Sequence, residues 1–364
     1  MVKYLLRAGK FTVRMMVFAV FAAIVFGGCS PKKAPSASTG NKLYIYNWTY
    51  YCPDSVLDKF RMEYNVELIY DQYASNEDMY AKIQAGGSGY DIVFPSADFM
   101  EIMTKQGMFA KIDHSKLSNL KNIDINIVNQ ALWDPDMEYF VPYYYGAATI
   151  SVNTKRVSKF DDSWKKWNIF ERAEYQGKMT MLDDSRQVLG GALMSLGYSP
   201  NETDAEKINK ARDLVEGKWK PNLTRFDSEA FGKGYANEDF WIVHAFFEGI
   251  REEIGDNAEL LENTVVFLPE EGGPAYLDGM CILKDAKHID LAHEFINFIH
   301  RPEIYAEFCD YFGFPATVNI PARSLQKEEP FLPAEELVAK SKLYFDVGEA
   351  IDVYNAAWFD TIRR

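Results

Sequence analysis

From residue 42 the chain repeats one pattern, a short apolar or alternating run followed by a longer stretch of helical periodicity. "KLYIYNW" reads as a strand and "PDSVLDKFRMEY" as an amphipathic helix. "VELIYDQY" is the next strand, and "SNEDMYAKIQAGG" a helix with Ser75 as N-cap and glycines as its stop. "YDIVFPS" has the unbroken apolar character of a buried strand, and "ADFMEIMTKQGM" returns to the helical period. Strands separated by helices of this length need crossover connections, which predicts a parallel sheet with helices on its faces.

A second set begins after residue 150. "KMTMLD" is a strand, and "DSRQVLGGALMSLGYS" a helix that Asp184 can cap and Gly197 can end. "TDAEKINKARDLVEG" opens with a capping box, Thr203 with Glu206. "EDFWIVHAF" and "NTVVFLPEEGG" supply further strands, and "DLAHEFINFIHRPEIYAEF" reads as one long helix. The expected fold is α/β and bilobed, two Rossmann-like lobes within 364 residues.

The segment 1–28 stands apart. Lys3, Arg7, Lys10 and Arg14 precede an apolar run at 15–26, too short to span a bilayer but suited to an export signal. It ends in "FGGCS", a lipoprotein-type cleavage site that would leave Cys29 as a lipidated N-terminus. Residues 29–40, rich in Pro, Ser and Gly, have the composition of a flexible tether. Removing the signal takes four basic residues, so the exported chain has 35 basic against 53 acidic side chains. That balance argues against nucleic acid as a partner and admits a cationic one. The other cysteines, Cys52, Cys281 and Cys309, are odd in number. They leave open a Cys281–Cys309 bridge or buried free thiols. No Cys/His spacing suggests zinc, and no cofactor is expected.

In open parallel sheets the ligand lies beyond the carboxyl ends of the strands, which turns strand ends into a site list. The first strand ends in Trp48, Thr49, Tyr50 and Tyr51. The third ends in Pro95, Ser96 and Asp98, and the first strand of the second set in Asp183 and Asp184. Tyr276 and Asp278 mark a later boundary. Aromatics and carboxylates dominate, and Lys and Arg are absent from those ends. Such a set suits a flexible organic cation: carboxylates meet ammonium groups, and aromatic faces add cation–π attraction and cover methylenes.

The stretches "YNWTYY", "YASNEDMYAK", "YDIVFPS", "KIDHSKLSNLKNID", "VPYYYGAATISVN", "LDDSRQVLGGAL", "PEEGGPAYLDG" and "FINFIHRPE" occur in this order between residues 41 and 350. On them the chain resembles the spermidine/putrescine-binding proteins of bacterial polyamine importers. The resemblance implies a class II periplasmic substrate-binding fold. One lobe would comprise 41–147 with 279–364 and the other 148–278. Crossovers are expected at 143–153 and 276–283, and a polyamine would be held in the cleft between lobes. It further implies delivery to an ABC permease, a monomeric protein on a bacterial membrane's outer side, and no catalysis.

Carried over position by position, the resemblance implies ligand contacts at Trp48, Thr49, Tyr51, Ser96, Asp184, Ser228, Asp278, Tyr276 (for a family Trp) and Phe314 (for a frequent Tyr). Departures are Tyr50 and Gln187 where relatives carry acids, His244 near a family Trp, Tyr344 for a Gln, and Asp98 for a Tyr or Ser. Asp98, Asp184 and Asp278 are then the candidate carboxylates, with Glu248 as a fourth. Asp184 and Asp98 also read as helix-capping acids, Trp48 and Tyr51 as half-buried core, and His244 as a strand histidine. Three alternatives stay open. The tyrosines at 143–145 could serve a ferric-ion binder, the fold could hold another organic cation, or binding could serve sensing. An enzyme is disfavoured, since no GxSxG or Walker-type loop occurs and "QAGGSGYD" precedes a strand.

Overall fold

The computed structural model describes residues 41–363 except 50, 74 and 87–88. The export signal at 1–28, the tether at 29–40 with Cys29, and Tyr50 lie outside the described residues. The chain forms eleven strands among the described residues: β1 Lys42–Trp48, β2 Glu67–Tyr73, β3 Ile92–Val93, β4 Val141–Ala147, β5 Thr149–Asn153, β6 Met179–Met181, β7 Leu223–Phe226, β8 Ile242–Ala245, β9 Thr264–Phe267, β10 Gly273–Ile282 and β11 Ser341–Leu343. The α-helices are α1 Asp54–Tyr64, α2 Asn76–Gln84, α3 Ala97–Lys105, α4 Ile125–Val128, α5 Ser185–Ser195, α6 Ala205–Leu214, α7 Phe231–Ala236, α8 Phe247–Ile254, α9 Ala258–Glu262, α10 Ile289–Ile299, α11 Pro302–Phe312, α12 Ala334–Lys340 and α13 Ile351–Ala357.

The strands build two sheets, as the two sets of βα units predict. The first has the order β11-β10-β3-β1-β2, with β4 also paired to β10. The second has the order β7-β6-β8-β5-β9. β1 is parallel to β2 and β3, and β6 is parallel to β7 and β8. β10 runs antiparallel to β3 and β4, and β5 antiparallel to β8 and β9, so both sheets are mixed. The first sheet packs in one apolar core with Phe60, Phe94, Phe295 and Phe308. The second is covered on one face by Trp167, Leu193 and Trp219, and on the other by Tyr235, Phe240 and Ile250.

The lobe boundaries differ from those expected. β10 belongs to the first sheet along its whole length, so the second passage between lobes falls at 268–272, not at 276–283. The C-terminal segment does not return to the first lobe. Val347, Tyr354, Trp358 and Ile362 pack into the second lobe's core, which makes 343–347 a third passage. An apolar stripe on α13 decides this, and periodicity does not say which sheet a terminal helix will cover.

Local signals behave as their chemistry requires, with two corrections. Ser75 caps α2 by accepting from the Asp78 N–H, and Asp184 caps α5 by accepting from the Arg186 and Gln187 N–H groups. α6 is capped by Asp204 rather than by Thr203, because the carboxylate reaches the Glu206 N–H. The stretch 289–312 is two helices, since Pro302 carries no N–H and the extended backbone at Arg301 starts a new helix there. Cys281 and Cys309 are buried free thiols and form no bridge. Among the described residues no helix is long and apolar enough to cross a membrane.

Candidate functional site

The centre of the site is Asp278. Its carboxylate is buried in β10 and accepts two hydroxyl hydrogen bonds, from Ser96 at 2.6 Å and from Tyr51 at 2.7 Å. Backbone geometry explains how these groups meet. The β10/β4 ladder shifts register between Asp278 and Gly279, and Ser96 forms an isolated antiparallel bridge with Asp278. Gly279 permits the approach, since a Cβ there would lie 2.4 Å from the Met100 sulfur on α3. Tyr276, two residues earlier on the same strand face, lays its ring over Gly146 of β4, where a Cβ would come within 2.5 Å of the ring.

Two further carboxylates converge from the two lobes. Asp98 sits in the first turn of α3 and accepts from the Phe99 N–H at 2.9 Å. Asp184 is the cap of α5 in the second lobe, with acceptor distances of 2.8 and 3.0 Å. Tyr344, on the third passage, faces the whole group. Burial pushes its phenol well above the ordinary range, and the negative charges of Asp184, Asp98 and Asp278 push it further.

Burial dominates the carboxylates' own titration. It raises Asp278 to about 6, against the two hydroxyl donors that lower it, and Asp98 adds to the rise. Asp98 and Asp184 are raised for the same reason, opposed by their backbone N–H donors and by the Arg186 guanidinium. A carboxylate held above its usual range in a desolvated cleft is short of positive charge. An organic cation supplies what is missing.

The other carried-over positions divide. Phe314 is buried, stacks on Tyr144 at 4.2 Å and lies edge-on to Tyr51 at 6.3 Å, so it belongs to the same wall. Trp48 is half-buried, donates its indole N–H to the Phe94 carbonyl and leans on Tyr73. Thr49 is exposed and donates to the Tyr73 carbonyl. Ser228 is exposed, and its hydroxyl accepts from the Asp183 N–H, which ties down the end of β6. Gln187 is fully buried on α5 and its carboxamide has no hydrogen-bond partner. The structure does not bring His244 to the carboxylates: it lies in the second lobe's core with its ring edge-on to Trp167 at 5.1 Å, and burial lowers it to about 3.

Three residues near the site escaped the strand-end rule. Arg186, two positions beyond Asp184, brings a fixed cation to ends expected to have none. Its guanidinium lies over the rings of Tyr344 and Tyr354 and bonds Asn201 and the Phe345 carbonyl. The only sequence signal was its proximity to a cap. Tyr144, within the crossover expected at 143–153, buries a hydroxyl with no partner. Phe246 meets the Tyr276 ring edge-on at 5.5 Å. A cavity of about 1090 Å³ has Phe247, Glu248, Phe314 and Phe331 in its lining, and the three aspartates are not part of that lining.

Among the described residues no three His, Cys, Asp or Glu side chains are placed to hold a metal ion. The Tyr143 and Tyr145 hydroxyls, which a ferric-ion site would need, are spent on the Tyr51 carbonyl and on Gln130.

Two sheets joined by three passages, with carboxylates facing each other across the gap, define a bilobed solute-binding protein. The family model for bacterial extracellular solute-binding proteins matches residues 87–336. The spermidine/putrescine-binding periplasmic protein of Escherichia coli K12 is 35% identical over 337 residues, covering 88% of this chain and 91% of that protein. The putrescine-binding periplasmic protein SpuD of Pseudomonas aeruginosa is 32% identical, covering 85% and 89%. Among solved structures, the TpPotD lipoprotein of Treponema pallidum superposes with a TM-score of 0.84 at 44% identity, covering 89% of this chain and all of that one. The chain therefore belongs to the bacterial extracellular solute-binding proteins, alongside the spermidine/putrescine-binding periplasmic proteins. This is a family of transport binding proteins, not of enzymes.

Proposed function

We propose that the protein captures a linear polyamine of the spermidine/putrescine class between its lobes and hands it to an ABC permease. The observation that carries this reading is the convergence of Asp98 and Asp278 from the first lobe and Asp184 from the second on one tyrosine, Tyr344. A polycation joins carboxylates that would otherwise repel across the gap, so ligand and lobe closure stabilise one another. Tyr51, Tyr276, Tyr344 and Phe314 give the methylenes between nitrogens an aromatic wall. Gln187 and Tyr50, where relatives carry acids, remove two charges that Asp98 replaces in part. Titration calorimetry with putrescine, cadaverine, spermidine and spermine tests the proposal. Micromolar or tighter binding of at least one is expected, and absence of heat and of thermal shift with all four overturns it.

The same reading places the protein as a monomer on the outer side of a bacterial membrane, anchored through a lipid on Cys29. Radiolabelled palmitate should enter the natural protein and not the Cys29→Ala variant. Light scattering during gel filtration should return the mass of one chain.

A further inference from the structure

Glu248 is the second residue of α8 and faces the large cavity with its carboxylate free of any side-chain hydrogen bond. The sequence offers it only as a fourth candidate carboxylate, matched to no contact position of the polyamine-binding family and with no role assigned. Its surroundings fix its place relative to the other carboxylates. Tyr276 is influenced by Glu248, Asp278 and Tyr344, whereas Tyr344 is influenced by Asp184, Asp98 and Asp278. Ring contacts run the same way: Phe246, two residues before Glu248, meets Tyr276, and Tyr276 meets Tyr144 at 6.1 Å. Asp278 is thus common to both groups, Glu248 acting with it on Tyr276 and Asp98 and Asp184 acting with it on Tyr344, while Glu248 shares its cavity with Phe314, which packs on Tyr51 and Tyr144.

We propose that Glu248 is a third ammonium station of the cleft, one that a triamine reaches and a diamine held by the other two stations does not. This rests on the polyamine reading of the site and deepens it. A carboxylate beyond the aspartates matches a third nitrogen separated by methylenes, and the Tyr276 ring, which Glu248 and Asp278 both influence, is suited to cover those methylenes. The charges around Glu248 favour a cation. The cavity carries Glu252, Asp256, Asp310, Glu328 and Glu329 against a single Arg251, whose guanidinium is held by the Gly255 carbonyl. Behind α8, α7 contributes Lys233, which is exposed, and Tyr235, whose hydroxyl is bonded to Thr264. Burial raises the Glu248 carboxyl to about 7, opposed only by its own backbone N–H, with no cation contributing. An arriving ammonium therefore displaces a proton from it near neutral pH.

The test compares spermidine with putrescine on the natural protein and on Glu248→Gln, by calorimetry at pH 7 in buffers of different ionisation enthalpy. Expected is a loss of about ten-fold in spermidine affinity with putrescine unchanged within about two-fold. Proton release should be larger with spermidine than with putrescine on the natural protein, and in the variant should fall to the level seen with putrescine. Equal losses for both amines, no loss for either, or equal proton release with both amines overturns the assignment. The proton measurement on the natural protein decides the matter even where the variant folds poorly. If the natural protein takes up neither amine, the polyamine reading itself falls, a result separate from loss of discrimination.

Discussion

Ser96 and Asp278 belong to segments 182 residues apart, yet they share one β-bridge and the serine hydroxyl donates to the carboxylate at 2.6 Å. The bond stabilises the ionised acid in a place where burial favours the neutral one. Ser96→Ala should raise the Asp278 pKa further from about 6. Polyamine affinity should then fall by about five- to ten-fold at pH 6, with a smaller loss at pH 8. Titrations at both pH values check this, and a loss that does not vary with pH would contradict it.

Asp184 can be separated into its two roles. Asn caps a helix as well as Asp does, so Asp184→Asn should leave the melting temperature nearly unchanged while lowering polyamine affinity by ten-fold or more. Asp184→Ala should show the same affinity loss and in addition cost about 1 kcal/mol of stability, read from denaturant unfolding.

Stability of the ligand-free protein should fall as pH rises from about 4.5 to 7. Asp278 and Glu248 have folded-state pKa values above their unfolded ones, so over this window the native state holds more protons than the unfolded chain. The melting temperature should drop by a few degrees across it, and less in a protein carrying both Asp278→Asn and Glu248→Gln. Saturating polyamine should reverse the slope, because the ligand prefers the ionised acids.

Gly279→Ala should destabilise the protein by about 1–3 kcal/mol and weaken ligand binding, since the added methyl meets Met100 and Phe140 and pushes α3 away from β10. Met100→Ala in the same chain should recover part of both. Chemical denaturation and calorimetry of the single and double variants measure the coupling.

Much of this architecture could be read from residues alone. The alternation of periods near 2 and 3.6 gave both sheets, and the rule of strand carboxyl ends led to Ser96, Asp98, Asp184 and Asp278. What stayed hidden depends on contacts between distant segments. His244 occupies a strand position like that of a ligand residue, but its side chain faces Trp167, and nothing in "WIVHAF" states which face is core. Arg186 reads as a surface residue after a cap, and only the arrival of 343–345 from the far end of the chain makes it part of the site. The tail is the same case: Tyr354 and Trp358 have an apolar stripe, and the stripe does not name its partner sheet.

That tail also governs how the molecule can move. Two connecting strands alone would act as a ribbon, free to twist as well as bend. The third strap at 343–347 ends in side chains rooted in the second lobe, and Asn201 grips it on both sides of Tyr344 through the Leu343 carbonyl and the Phe345 N–H. A third strap adds a restraint on twisting that two passages alone would lack. Tyr344 lies on that strap between the two bonds to Asn201, so a change in the angle between the lobes should also move the tyrosine that feels all three aspartates.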